Sequence, residues 1–244
     1  MESLQSIKSR LKAVKNIGKI TKAMEVVAAT KMRKSQEVAL ASRGHSWESL
    51  KLLLKMTSNA PITSPLAIDR KVESTLIVIV SSDRGMAGSF NTQIFKTVDK
   101  FMREDTLGKD LGHTFRFFPV GKKSINYCRK NKFATENSFS GIGDSVSVDI
   151  SGKISAEIVA GFMEKKWDRV VTVSANFRTT LVQDVLMRKI LPLSVDSIAN
   201  SIIEIVPEYG KYSESEKLNL KEVMAKDTEY IFEPATEIIL NELI

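Results

Sequence analysis

The sequence predicts an α/β protein in which one long N-terminal helix precedes an open sheet with flanking helices. No proline occurs before Pro61, so an uninterrupted helix can form over residues 1–57. Residues 75–80, TLIVIV, are rich in β-branched side chains, which is typical of a strand buried on both faces of a parallel sheet. We therefore expect four parts: a long basic helix over residues 1–57, a linker over 58–73, an α/β domain over 74–234 and the start of a C-terminal helical segment over 235–244.

Alternating strand and helix patterns beyond the linker extend this expectation. After the first strand and an amphipathic helix that ends near Met102, strands are predicted at 114–120, 169–175, 184–193 and 230–232, and helices at 122–129 and 149–166. Strands that alternate with helices favour an open sheet with right-handed crossovers, which is a Rossmann-like topology.

Composition excludes several classes of protein. With 43% hydrophobic and 27% charged residues in 244, the chain is not a disordered tail. No run approaches the ~20 apolar residues that a membrane span needs, and we expect no secretory signal at the N-terminus. The single cysteine, Cys128, cannot form an internal disulfide and favours a reducing compartment. Because His45 and His113 are far apart in sequence, we expect no metal site.

The net charge of +7 is concentrated in the predicted N-terminal helix. Residues 1–57 contain twelve Lys or Arg and four Asp or Glu, a balance of +8, and the remaining 187 residues have a balance of −1. Such asymmetry indicates a basic arm for an acidic partner, which is nucleic acid, a lipid surface or an acidic protein.

Apolar residues of this helix form a narrow row, which we call the apolar seam. The spacing is 3-4-3 in each of two successive runs, as in a coiled coil, so the seam needs a partner helix. The first run is Leu4, Ile7, Leu11 and Val14, and the second is Ile17, Ile20, Met24 and Val27. We define the seam by six of these residues: Leu4, Ile7, Leu11, Val14, Ile20 and Val27.

Basic side chains lie mostly off this seam, and Glu25 is the only acidic residue between Gln5 and Lys34. Solubility alone is usually achieved by mixing Glu with Lys, so we favour a partner surface over a merely solvated face. Its candidate residues are Lys8, Lys12, Lys31, Arg33 and Lys34.

The segment after the first strand is the other candidate site. Gly85 and Gly88 are the only glycines there, so the three-glycine dinucleotide fingerprint is missing. We interpret the segment as a tight strand-to-helix turn whose Asp83 and Arg84 face a protein partner. The sequence contains no G-x-S-x-G motif, and no histidine lies near Cys128 in sequence. We therefore recognise no catalytic site.

Two motifs resemble one known family. Residues 17–36, IGKITKAMEVVAATKMRKSQ, resemble the N-terminal helix of the gamma subunit of F-type ATP synthases, and residues 81–91, SSDRGMAGSFN, resemble that family's loop after the first strand. Weaker similarities follow in the family's order, at Asn176 and Phe177 with Gln183, at Leu191 and Pro192, and at residues 230–234.

This resemblance implies a rotary shaft that has no catalytic site of its own. The family's N- and C-terminal helices pair inside the catalytic head, and its α/β domain sits on the membrane ring. The implied partners are the alpha and beta subunits, the epsilon subunit and the c-ring, with no cofactor and no nucleic acid. The implied location is peripheral, on the cytoplasmic face of a membrane. Because no transit peptide is recognised in the sequence, we expect a bacterial protein in preference to an organellar one. Position by position, the partner-facing residues are Met24, Lys31 to Lys34, and Asp83, Arg84 and Gly85.

Two segments depart from the family pattern. The family's C-terminal helix continues beyond the segment that ends at Ile244, and the polar stretch over residues 209–226 has no clear match. The explanations are a truncated reading frame, a second helix supplied by another chain, or a misaligned tail.

Two other functions are consistent with parts of the sequence. A nucleic-acid-binding module would use the basic helix as its arm, but Trp47 is the only aromatic residue there. The interpretation of the chain as a nucleotide-dependent α/β enzyme is supported only by Gly85 and Gly88.

Overall fold

The computed structural model describes residues 3–59, 64–106, 113–143, 148–178 and 182–205. Contacts divide the chain into two compact units, Met1–His45 and Ser46–Ile244. The strand predicted at 230–232 and the helical segment predicted at 235–244 lie outside the described residues.

The first unit consists of the N-terminal part of helix α1, which runs over Leu4–Asn59 and confirms the predicted long helix. Ser3 caps it, since the backbone N–H of Ser6 donates to the Ser3 hydroxyl at 3.2 Å. Farther along, the hydroxyls of Thr21 and Thr30 donate to carbonyls one turn back at 3.0 Å. These two polar groups are therefore satisfied within the helix.

The second unit is built on a four-stranded mixed sheet with the order β2-β1-β3-β4. Its strands are β1 (Ser74–Val80), β2 (Thr114–Val120), β3 (Arg169–Phe177) and β4 (Gln183–Leu191). β1 is central and parallel to both neighbours, with Ser74 opposite Thr114 and Thr75 opposite Arg169. The open α/β architecture predicted from the sequence is confirmed.

Strand β4 is antiparallel to β3, which the alternating pattern did not predict. A parallel neighbour needs a long crossover, usually a helix, whereas an antiparallel one needs only a short turn. Just five residues, 178–182, separate β3 from β4. The short connection therefore determines the direction of β4.

Helices cover the sheet on both faces. They are α2 (Phe90–Thr106), α3 (Lys122–Asn131), α4 (Val148–Met163) and α5 (Val195–Ile205), and a short 3-10 helix spans Pro65–Ala67. None of the helices in the described ranges is long and apolar enough to cross a membrane.

Alternate side chains of β1 enter two separate cores. Leu76 and Val78 pack with β2, β3 and the α4 residue Phe162 on one face. Ile77 and Ile79 pack with α2 and α3 on the other. Burying each large aliphatic side chain contributes about 1.5–3 kcal/mol, so β1 holds both layers together.

Trp167 secures α4 against the sheet. The residue is 2% exposed, and its Nε1 donates to the carbonyl of Ile158 at 3.1 Å. A Cβ on Gly161 would overlap that ring. The close approach of α4 to Trp167 therefore requires glycine at position 161.

We expect Gly161→Ala to lower the free energy of unfolding by about 3 kcal/mol, because the added Cβ would lie 2.0 Å from the ring of Trp167, a residue that is 2% exposed. Chemical denaturation followed by tryptophan fluorescence measures this. Gly152→Ala is the matched control, because Gly152 lies in the same helix with open space around it. There alanine should add up to about 1 kcal/mol of stability. Equal effects at the two positions would contradict the packing argument.

Candidate partner-binding surfaces

The apolar seam of α1 is exposed along its whole length. Its six side chains range from 53% exposed at Ile7 to 72% at Leu4. Exposed apolar side chains this close together are unusual on a protein surface and are typical of interaction sites. In the part of the chain that the structure describes, the seam is a surface suited to another helix.

Basic side chains stand beside this seam. Since successive helical residues are turned by about 100°, Lys8 and Lys12, each one position after a seam residue, flank the seam instead of lying in it. Both are exposed, as is Lys34, and none of the three forms an ion pair with a described residue. Their charges therefore remain available to an external acidic group.

The remaining basic candidates are placed differently. Arg33 pairs with Glu37 at 3.1 Å, but both side chains are largely exposed, so the pair contributes little. Lys31 is half-buried. Met24 is 46% exposed and lies one helical turn after Ile20. It therefore belongs to the apolar side of the helix and not to the basic side.

The loop between β1 and α2, residues 81–89, has a rigid base. The N–H of Ser82 donates to Asn91 Oδ1 at 3.1 Å, and Asn91 Nδ2 donates back to the Ser82 hydroxyl at 2.9 Å. The Ser82 hydroxyl in turn donates to the carbonyl of Arg84 at 2.7 Å. The serine and the asparagine thus tie the start of the loop to the first turn of α2.

Asp83 connects this loop to two neighbouring segments. Its Oδ1 accepts a hydrogen bond from the N–H of Lys122 at 2.9 Å, at the first turn of α3, and its Oδ2 accepts from the N–H of Gly141 at 2.8 Å. A carboxylate at a helix N-terminus is also favoured by the helix dipole. An external phosphate at α3 would have to compete with Asp83, which weakens the nucleotide interpretation of the glycine turn.

The tip of the loop faces solvent. Arg84 and Gly85 are exposed, and Met86 is 85% exposed at a left-handed φ of 63°. Of the three predicted partner-facing residues, Arg84 and Gly85 are therefore exposed, whereas the Asp83 carboxylate is hydrogen-bonded within the chain. The exposed apolar side chain of Met86 was not predicted from the sequence. The signal that could have indicated it is a large apolar residue in a turn bounded by Gly85 and Gly88.

The structural requirement for glycine at position 121 was also not predicted, because no local sequence pattern indicates it. It adopts φ 101°, and a Cβ there would collide with the Ser81 carbonyl group. The N–H of Ser124 also donates to the Ser81 hydroxyl at 2.7 Å. Close contact between the start of the loop and the first turn of α3 therefore depends on glycine at position 121.

The titratable side chains of His113 and Cys128 are buried inside the domain. His113 Nε2 lies 3.1 Å from Thr75 Oγ1 and 3.3 Å from Asp105 Oδ2. Burial raises the pKa of the Cys128 thiol to about 11, so the thiolate is scarce near neutral pH. Within the described ranges, no group of three or more His, Cys, Asp or Glu is arranged to hold a metal ion.

A helical arm with an exposed seam and a basic flank, joined to an α/β domain with a braced loop, defines a subunit built for assembly with other chains. The sequence model of the ATP synthase family matches residues 3–244. The ATP synthase gamma chain of Geobacter metallireducens is 32% identical over 99% of this chain and 83% of its own length. That of Geotalea daltonii is 30% identical with the same coverage. The chain belongs to the ATP synthase gamma chain family.

A solved structure shares the fold. A chain in the central stalk and c-ring structure of the Tetrahymena thermophila mitochondrial ATP synthase aligns with a TM-score of 0.57 and 23% identity. The alignment covers 84% of this chain and 87% of that one. At this identity the match supports the architecture, a long helix with an α/β domain.

Replacing Asp83 should destabilise the second unit, whereas replacing its exposed neighbour should not. Asp83→Ala removes the acceptor of two backbone N–H groups and should lower the free energy of unfolding by about 1–2 kcal/mol. Arg84→Ala should change it by less than about 0.5 kcal/mol. Urea unfolding of the two variants side by side measures the difference. An Asp83→Ala variant as stable as Arg84→Ala would show that the carboxylate does not brace the loop.

Proposed function

We propose that this chain is the rotary shaft of an F-type ATP synthase, which couples ion flow through the membrane ring to ATP synthesis or hydrolysis in the catalytic head. The observation that carries this proposal is the family match over residues 3–244. In this role the chain does no chemistry of its own. It transmits rotation, and the catalytic sites belong to other subunits.

The proposed partners follow from the two surfaces. The basic residues beside the seam would face acidic loops of the alpha and beta subunits, and the α/β domain would contact the epsilon subunit and the c-ring. The match to a chain from a central stalk and c-ring assembly supports this arrangement through its fold. The complex would place the chain peripherally on the cytoplasmic face of a bacterial membrane, since the relatives described above are bacterial.

Exposed lysines suit a rotating contact for a physical reason. A solvent-exposed ion pair contributes about 0–1 kcal/mol, and the field of an exposed charge is screened over about 8 Å at physiological salt. Lys8, Lys12 and Lys34 would therefore attract acidic loops without holding any one orientation in a deep energy minimum. A shaft that must pass three similar catalytic sites needs such shallow interactions.

The loop and the seam have separate proposed roles. The Asp83 carboxylate is occupied by Lys122 and Gly141 within the chain, so it would position the loop while Arg84 and Gly85 make the external contact. The six seam residues would pair with a second helix. We also propose the four-part division at 1–57, 58–73, 74–234 and 235–244 as the functional organisation.

The nucleic-acid alternative gains no support. None of the relatives described above is a nucleic-acid-binding protein, and their ATP synthase assignment accounts for the basic helix without it. A salt-sensitive shift of duplex DNA by this protein, together with no binding to ATP synthase subunits, would reverse that judgement.

Charge reversal on the helix should weaken assembly with the alpha and beta subunits. The triple variant Lys8→Glu, Lys12→Glu and Lys34→Glu should reduce co-purification of those subunits and stimulation of their ATPase about tenfold, because three attractions become repulsions. The matched control makes the same charge change on the exposed lysines Lys96, Lys130 and Lys153 of the α/β domain. Equal losses for both triples would point to net charge alone. If adding the wild-type chain left the ATPase activity of the alpha and beta subunits unchanged, the rotor proposal itself would be contradicted.

Met24→Lys should reduce the number of ions transported per ATP hydrolysed, because it adds a like charge to a helix that is already basic and places it in the apolar row. Ion transport into vesicles that contain the assembled enzyme, measured together with ATP hydrolysis, tests this. Met24→Leu keeps the apolar surface and should leave the ratio unchanged. The proposed contact at Met24 would be abandoned if both variants kept the wild-type ratio.

A further inference from the structure

Helices α2 and α3 form a second basic surface, which belongs to the α/β domain. The ring of Phe95 on α2 stacks on that of Tyr127 on α3 with 4.3 Å between centroids, so the two helices lie side by side on one face of the sheet. Their exposed sides carry six basic residues, which we call the α2–α3 basic face: Lys96, Lys100 and Arg103 on α2, and Lys122, Arg129 and Lys130 on α3.

Helical spacing places these six side chains on the outer surface of the two helices. Those of α2 follow one another at intervals of four and three residues, and those of α3 at seven and one, so each set lies along one side of its helix. The other sides carry Ile94, Val98 and Cys128, which pack in the core. The α2–α3 basic face therefore points away from the sheet.

Carboxylates of the same helices leave most of this positive charge uncompensated. Asp99 accepts a hydrogen bond from the Tyr127 hydroxyl at 2.5 Å, and Glu104 pairs with Lys100 at 3.7 Å. No carboxylate of the described residues forms an ion pair with any of the other five cations. The balance of −1 over residues 58–244 therefore conceals a strongly positive surface.

This face carries no exposed apolar or aromatic anchor. Within the described parts of α2 and α3, no large apolar side chain is exposed. Specific protein interfaces draw most of their affinity from buried anchors of this kind, and single-stranded nucleic acids stack on aromatic rings. An anionic lipid surface needs neither, because each Lys or Arg near it adds its own attraction.

We propose that the α2–α3 basic face binds the headgroups of an anionic phospholipid bilayer. Six cations are within the range of about 4–8 that characterises basic clusters which bind anionic lipids. The positive charge of the face complements the negative charge of the headgroups. The rotor proposal is not needed for this inference, which concerns binding of the isolated chain to lipid.

A fluorescent label on α3 tests docking of the full chain. Asn126→Cys supplies the labelling site, because Asn126 is exposed between Lys122 and Arg129. The vesicles contain equal parts of phosphatidylglycerol and phosphatidylcholine, and some headgroups carry a nitroxide that quenches fluorescence at short range. Ala156→Cys is the matched control site, exposed on α4 on the other face of the sheet. Cys128 will not react, because it is 1% exposed and burial raises its pKa to about 11.

We expect these vesicles to quench the label at Asn126→Cys and to leave the label at Ala156→Cys bright. Recruitment by the basic N-terminal helix alone would not distinguish the two sites, so equal quenching, or none at either site, would overturn the proposal. Vesicles of phosphatidylcholine alone should quench neither label. A label at Asn126→Cys that responds to duplex DNA but not to the anionic vesicles would also overturn it, in favour of a nucleic acid.

Neutralising part of the face provides an independent measurement. The triple variant Arg103→Gln, Lys122→Gln and Arg129→Gln should raise the lipid concentration for half-maximal quenching of the α3 label at least ~10-fold, because each cation contributes to the attraction.

The matched triple removes the same charge from exposed positions of the second unit outside the face, by Lys71→Gln, Lys153→Gln and Lys189→Gln. It should change that lipid concentration less than ~2-fold, since exposed charges farther from the bilayer than a Debye length are screened. Equal shifts for the two triples would show that net charge and not this face drives binding, and would overturn the proposal.

Discussion

Burial of β1 on both faces of the sheet is the constraint on which the rest of the α/β domain depends. Its side chains alternate between two cores, with Leu76 and Ile77 both 0% exposed. The helices on both faces pack against this strand and its neighbours. Because β1 is central, its carboxyl end also determines where residues 81–89 leave the sheet, beside the first turn of α3.

The N-terminal helix differs from β1 because its apolar side chains are exposed, so its stability has to come from a partner. An isolated helix draws most of its stability from packing, which a seam exposed by half or more does not provide within the first unit. Exposed apolar and basic groups are costly for a free chain and useful in an assembly. The helix is therefore best understood as one component of an ATP synthase.

Local sequence signals anticipated much of this structure. The absence of proline before Pro61 predicted α1, and the β-branched run predicted β1 within one residue of its observed start at Ser74. The loop was recognised from Asp83 and Gly85, but the inward bonds of Asp83 were not. Its partners, Lys122 and Gly141, are 39 and 58 residues away, beyond the range of any periodicity.

The sequence by itself determined the length of the helix, its charge, the α/β class and the family, because each depends on residue order within short windows or on a motif. Only the tertiary structure decided the antiparallel direction of β4, the need for glycine at positions 121 and 161, and the inward orientation of Asp83. Each of these depends on the approach of segments distant in sequence, where close packing leaves no room for an added Cβ or requires a particular acceptor.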